Sequence, residues 1–172
     1  DMAEALMRGV IRDLRAAVQN PQDYTARSNL MWEATMAENR ILKLGKQTDF
    51  MCNQMEHQLG AYMDCIHGEG VAVLQPVYCR HICRDDLSKF QRFAVNVWKL
   101  PANGKSEEEL ALEGVDTLAD FIREIGLPAT LREIGADEDT DLRQIAESCN
   151  ISAGGGRQMA HREIFEIFRE CY

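Results

Sequence analysis

The residues best suited to chemistry in this sequence lie between positions 53 and 67. Asn53 and His57 are four residues apart, which places them one turn apart on the same face of a helix. His67 follows a short turn at residues 64–66 and can fold back towards that face. Imidazoles that converge from a helix and from the segment after it commonly bind transition metals. These residues therefore make a candidate metal site, although two histidines near a helix end also occur at ordinary surface or core-edge positions.

Two other motifs carry less chemical information. Cys79 and Cys83 have the spacing of half a zinc site, but no second pair of Cys or His residues completes it. We therefore interpret the six cysteines as buried or half-buried thiols. Three consecutive glycines at 154–156 are expected to form a surface loop, and they predict no phosphate site because no Lys-Ser/Thr pair follows them.

Composition and charge exclude several classes of protein. The chain has 172 residues, of which 45% are hydrophobic and 27% charged, so it can bury a core and is not expected to be disordered. Its net charge is −9 and no basic stripe occurs, so we expect neither a nucleic-acid partner nor an anionic-membrane partner. No apolar run approaches the length of a membrane span and no signal peptide opens the chain, which predicts a cytoplasmic protein.

Helical periodicity dominates the sequence and predicts an all-α fold, an antiparallel bundle of about seven to nine helices. In the first segment the apolar residues at helical spacing are Leu6, Val10, Leu14 and Ala17. Asn20-Pro21 then marks a stop and a new start, because proline suits a first helical turn. A second apolar stripe continues to Leu44, where Gly45 is a natural terminator.

Two helices are expected to position the candidate site. The first covers about residues 50–63 and carries the first two candidate residues, and the second begins near Gly68. Pro76 lies inside the second helix and should kink it or mark a break, because proline lacks the amide hydrogen that a helix uses. His67 then lies where the first of these helices should end.

Four further helices are expected in the second half of the chain. Asp85 is a candidate cap for a helix that runs through Trp98, and residues 101–105 are the best candidate for an internal linker. Ser106 and Glu109 have the spacing of a capping box at the start of the next helix. The last two helices are predicted near residues 138–148 and 161–170.

Three stretches of the sequence, taken in order, resemble the C-terminal helical domain of the iron-containing alcohol dehydrogenases, specifically the butanol-dehydrogenase-like branch. They are Asn29-Leu-Met-Trp-Glu-Ala-Thr-Met-Ala, then Met55-Glu-His-Gln-Leu-Gly-Ala with His67-Gly-Glu-Gly, and finally Phe121-Ile-Arg-Glu-Ile-Gly-Leu-Pro. The resemblance covers residues 1–150 and weakens afterwards. It implies the helical half of a fold that is also similar to dehydroquinate synthase.

The resemblance implies a parent enzyme of two domains. Family members have an N-terminal nucleotide-binding domain, which this chain lacks, and a helical C-terminal domain, which we expect residues 1–172 to form as a single unit. It also implies a divalent metal, Fe2+ or Zn2+, held by one Asp and three His, with NAD(P) as hydride carrier. A small alcohol or aldehyde substrate and a homo-oligomer are implied as well. This chain alone is therefore expected to be inactive and to hold neither cofactor.

Individual site roles follow from the resemblance residue by residue. It makes His67 the last metal ligand and His57 a catalytic residue close to substrate and nicotinamide. The ligand expected before His57 falls at Asn53, whose neutral amide oxygen is a poorer donor to iron or zinc than imidazole. The other two ligands would lie upstream of Asp1. The alternative is a family member that has lost its metal site and acts as a binding or regulatory protein.

Overall fold

The computed structural model describes residues 1–152 and 155–172. The described residues form an all-α fold with eight α-helices and no strand. The helices are α1 (Met2–Gln19), α2 (Tyr24–Glu38), α3 (Met51–Met63), α4 (His67–Ile82), α5 (Leu87–Arg92), α6 (Glu107–Glu124), α7 (Leu142–Ser148) and α8 (His161–Cys171). The predicted fold class and number of helices are confirmed. None of these helices is both long and apolar enough to cross a membrane. Gly154, the first glycine of the predicted surface loop, lies outside the described residues.

The first two helices form a hairpin whose second arm is shorter than the sequence predicts. Asp23 caps α2, because its side chain accepts a hydrogen bond from the Ala26 amide. The helix ends at Glu38, and Arg40 adopts a left-handed backbone with a φ of 71°. A left-handed residue cannot continue an α-helix, so the prediction that the stripe remains helical as far as Gly45 is wrong.

The α3–α4 pair holds the candidate site. The Asp49 side chain accepts a hydrogen bond from the Met51 amide and so opens α3, while the left-handed Asp64, with a φ of 53°, closes it. Helix α4 begins at His67 itself and continues through Pro76 as far as Ile82. The alternative of a break at Pro76 is therefore wrong.

The segment after α4 differs from the predicted single helix. Asp86, not Asp85, caps α5, because the Asp86 side chain accepts from the Lys89 amide. Asp85 belongs to a 3₁₀ turn and pairs with Arg157, with 3.1 Å between carboxylate and guanidinium. After α5 the chain forms a π-helical turn at Phe93–Val97.

Helix α6 begins as the sequence predicts. Ser106 and Glu109 form the capping box, in which each side chain accepts from the backbone amide of the other residue. Residues 101–105 form the turn that precedes it. Gly114 on α6 lies against Ala94 of the π-helical turn, so that α6 packs closely on this segment.

The main core lies between α3, α4, α7 and α8. Its largest fully buried side chains are Met51, Met55, Leu59, Leu74, Ile145, Ile164, Ile167 and Phe168. The interpretation of the cysteines is confirmed, since five are buried and Cys65 is half-buried. Burial raises the pKa of Cys79 to about 11 and that of Cys171 to about 12, so both thiols are protonated at neutral pH.

Candidate metal centre

Three potential ligands converge where α3 ends and α4 begins. Glu56, His57 and His67 each offer one donor atom, and these atoms lie within 4.8 Å of one another. Both imidazoles are exposed, with ring centroids 5.7 Å apart and an angle of 37° between the ring planes. The structure thus brings together two of the three residues that the sequence singles out, His57 and His67.

A tight connection between the helices produces this convergence. Asp64 ends α3 with its left-handed backbone, and only two residues separate it from His67. The Ile66 carbonyl accepts hydrogen bonds from the amides of Glu69 and Gly70, which fixes the first turn of α4. The chain therefore reverses within one turn, and His67 returns to the end of the helix that carries His57.

Glu56 is the member of this group that the sequence-based assignment did not include. Its side chain is 2% exposed and its Oε2 is hydrogen-bonded to Nδ1 of His67. A Cβ atom built at Gly70 would lie 2.8 Å from Cγ of Glu56, and one at Gly60 would lie 3.6 Å from Oε1. The glycines at these two positions leave room for the buried carboxylate, and their spacing around Glu56 is the signal that could have identified it.

Asn53 lies one turn before His57 on α3 and is half-buried. Imidazole nitrogens and carboxylate oxygens are ligands of Fe2+ and Zn2+, so the donor types that converge here fit such an ion. The amide oxygen of a residue such as Asn53 is a weaker donor to iron or zinc than either of these. Cys79 and Cys83 are both buried and do not belong to the converging group found among the described residues.

A family model for the C-terminal region of the Fe-containing alcohol dehydrogenase family matches residues 1–172. NADH-dependent butanol dehydrogenase A of Clostridium acetobutylicum is 36% identical, with 99% of this chain and 45% of that protein covered. NADH-dependent butanol dehydrogenase B of the same organism is 36% identical over 98% of this chain and 44% of that protein. The crystal structure of NADH-dependent butanol dehydrogenase A from Thermotoga maritima superposes with a TM-score of 0.90 at 27% identity, covering 99% of this chain and 45% of that one. The chain thus spans less than half the length of these relatives.

Proposed function

This chain belongs to the Fe-containing alcohol dehydrogenase family, and we propose that it is the helical, metal-binding half of an NAD(P)-dependent enzyme that interconverts small alcohols and aldehydes. The observation that carries the proposal is the convergence of His57 and His67 within a chain that matches the family along its whole length. The names of its relatives, NADH-dependent butanol dehydrogenases, support this class of substrate.

His67 and Asn53 are the metal ligands in this proposal. His67 lies at the first residue of α4 and provides an imidazole nitrogen, while Asn53 provides a neutral amide oxygen from α3. Bound Fe2+ or Zn2+ would supply Lewis-acid polarisation of the alcohol or carbonyl oxygen. Because the ligand at position 53 is weak, we expect a lower metal affinity than an imidazole at that position would give.

His57 is the catalytic residue in this proposal. Its ring is exposed beside that of His67, so it can contact a substrate whose oxygen approaches the same site. A neutral imidazole can accept a proton and an imidazolium can return it, which suits a reaction that interconverts an alcohol and a carbonyl compound. Its position one turn after Asn53 keeps it next to the proposed ligands.

Residues 1–172 form one helical domain in this proposal, and the nucleotide-binding half belongs to the rest of the full-length protein. The relatives are more than twice as long as the part that this chain matches. We therefore expect the isolated chain to be inactive towards alcohols and to bind NAD(P) weakly. The full-length protein is proposed to be a homo-oligomer.

A second candidate function is favoured by Asn53 alone. A family member that has replaced a metal-binding imidazole by an amide has a weakened metal site, and such a protein can persist as a binding or regulatory protein. In that case the fold and the His57–His67 pair are retained, but the Lewis acid is lost.

A chimera decides between the two functions. The chain is fused behind the nucleotide-binding half of Clostridium acetobutylicum butanol dehydrogenase A, loaded with Fe2+ or Zn2+, and assayed for butanal-dependent NADH oxidation. We expect turnover in the chimera, none in the isolated chain, and loss of metal in the His67→Ala chimera. The Asn53→His chimera should retain metal at least tenfold more tightly, because changes around a metal site alter affinity by about 10- to 100-fold.

Two results of this experiment contradict the proposal in different ways. Turnover that appears only in the Asn53→His chimera supports the non-catalytic alternative, because the native site is then too weak. Unchanged metal content and turnover in the His67→Ala chimera remove His67 from the ligand set.

A further inference from the structure

Glu56 is a buried charged residue at the edge of an otherwise exposed site. Only three charged side chains among the described residues are buried, and Glu56 is the most deeply buried of them, at 2% exposure. A carboxylate is costly to bury without a hydrogen-bonding partner. The partner of Glu56 is the imidazole of His67, eleven residues along the chain.

The atoms of this hydrogen bond define the state of the His67 ring. A carboxylate oxygen can only accept, so Nδ1 of His67 is the donor and carries the proton. In a neutral imidazole the other nitrogen, Nε2, then holds a free lone pair. Because Nδ1 carries the proton, it has no lone pair for a metal ion, and Nε2 is the nitrogen that remains available.

The packing around Glu56 keeps the carboxylate in place. Gly70, one turn into α4, has no side chain where Glu56 passes, and a Cβ there would lie 3.0 Å from Oε1. The stem of Glu56 lies on the buried side of α3, between the core residues Met55 and Leu59 in sequence. A side chain confined in this way restricts the orientation of the ring that it holds.

We propose that Glu56 is a positioning residue that holds His67 in the Nδ1–H tautomer and directs Nε2 towards the metal. The inference rests on the proposed function, in which His67 is a metal ligand. Histidine ligands commonly donate their second N–H to a carboxylate, and removing such a partner costs about 10- to 100-fold in metal affinity. Glu56 acts through His67 and does not itself bind the ion.

The tautomer can be measured directly on this chain. The sequence has four histidines, so long-range 1H–15N correlation spectra at about pH 8.5, where imidazoles are neutral, can assign each ring. We expect His67 to be the Nδ1–H tautomer in the native chain and to lose that preference in Glu56→Leu. Glu56→Gln, which keeps an oxygen acceptor, should retain most of it. Glu69→Gln, a carboxylate change two residues from His67, is the matched control and should alter nothing.

Titration of the same samples with Zn2+ separates this inference from the proposed function. The chain is expected to retain no metal by itself, but an excess of added Zn2+ should bind weakly and shift Nε2 of His67. The dissociation constant of Zn2+ should rise about 10- to 100-fold in Glu56→Leu. An Nε2–H tautomer in the native chain overturns the inference, as does equal Zn2+ affinity in folded Glu56→Leu. If His67 is the Nδ1–H tautomer but Zn2+ never reaches it, the ligand role of the proposed function fails instead. Should Glu56→Leu not fold, the tautomer of His67 in the native chain still decides.

Discussion

The α1–α2 hairpin and the core formed by α3, α4, α7 and α8 bury opposite kinds of side chain. In the core the fully buried residues are mostly large and apolar, Phe168 among them, and Glu56 of α3 is the charged exception. The buried residues of the hairpin are Gly9, Asp13, Ala26 and Glu33. Some of its large apolar residues are exposed on the outer side, with Met31 75% and Trp32 61% exposed. Two parts of one helical chain therefore owe their stability to different interactions.

The apolar side of the hairpin faces a groove. This groove, of about 810 Å3, lies between the hairpin, the π-helical turn and α6. Three residues that line it from α1 are Leu6, Val10 and Leu14, the stripe that the sequence marks as the face to be buried. Helical periodicity thus identifies an apolar face correctly without telling which element covers it.

The strongest test of this comparison truncates one large side chain in each region. Phe168→Ala should destabilise the chain by about 3–5 kcal/mol, because it leaves a cavity in a close-packed core. Trp32→Ala on α2 should change the free energy of unfolding by no more than about 0.5 kcal/mol, as exposed positions usually do. Urea unfolding followed by circular dichroism measures both. A loss of several kcal/mol in Trp32→Ala would show that the hairpin has a core of its own.

Gly→Ala substitutions, each of which adds one methyl group, should give the next largest loss of stability. They distinguish contacts that are rigid from contacts that can adjust. A Cβ at Gly114 would lie 2.9 Å from Cβ and 3.1 Å from Cα of Ala94, so backbone must move. We expect Gly114→Ala to cost about 1–3 kcal/mol. At Gly9 the new atom meets the end of the Glu33 side chain, which can rotate into the groove, so Gly9→Ala should cost less.

Gly68→Ala is the matched control for these substitutions. Position 68 lies in the first turn of α4, and a Cβ there meets nothing within 4 Å. The change should be neutral or stabilising by up to about 1 kcal/mol, since alanine favours the helix. Thermal melts of the three variants rank their stabilities. A cost for Gly9→Ala as large as that for Gly114→Ala would mean that the hairpin is as rigid as the contact between α6 and the π-helical turn.

The stability of the chain should depend on pH because of Glu33, a buried carboxyl group in the hairpin. Burial, followed by the charge of Asp13, raises the pKa of Glu33 above its usual value near 4.5, and its Oε2 is buried without a partner. The folded chain therefore binds the proton of the Glu33 carboxyl more tightly than the unfolded chain does. The contribution of Glu33 to the free energy of unfolding then falls as pH rises from 4.5 through the pKa of Glu33 in the folded chain.

Glu33→Gln should therefore stabilise the chain at pH 7 and leave it nearly unchanged at pH 4. Glu38→Gln, on the exposed side of the same helix, is the control and should alter neither value. Unfolding midpoints measured across this range test the expectation. A destabilised Glu33→Gln at pH 7 would mean that the carboxylate makes a favourable interaction in the hairpin.

The smallest effect is expected from the ion pair that joins the hairpin to α6. Arg15 on α1 makes a bidentate contact with Glu124 on α6, at 2.6 and 2.7 Å, and both side chains are about half exposed. Exposed ion pairs contribute little and are screened by salt. Glu124→Gln should lower the melting temperature slightly in dilute buffer and not at all in molar salt. An effect that persists in high salt would indicate a contact other than charge.

Local signals in the sequence predicted local structure well. The Ser106–Glu109 capping box is a motif of four consecutive residues, and it occurs where the sequence predicts it. The sequence indicates Asp85 as a helix cap, because nothing in the local pattern reveals that Arg157, 72 positions later, pairs with Asp85 and that Asp86 is the cap instead. A contact so distant in sequence leaves no local trace.

The candidate site was predictable only in part, because some of its contacts are local in sequence and others depend on packing. Helical spacing and family resemblance singled out His57 and His67, which the structure brings together. Glu56 was not assigned a role, because its contact with His67 depends on how closely α4 approaches α3 at Gly70. Gly60 and Gly70 are the trace of that approach in the sequence, but only the packing of the two helices shows that the Glu56 side chain occupies the space they leave.

The attachment of α1 to the π-helical turn has a consequence during protein synthesis. Arg8 donates a hydrogen bond to the backbone carbonyl of Asn96, 88 positions later. At about 5–20 residues per second, a ribosome makes that partner about 4 to 18 s after Arg8 itself. Throughout this interval Leu6, Val10 and Leu14 are exposed to solvent, because the π-helical turn and α6 that border their groove have not been made. This is far longer than a helix needs to form. During this interval the apolar stripe of the hairpin is open to contact with chaperones or with other nascent segments.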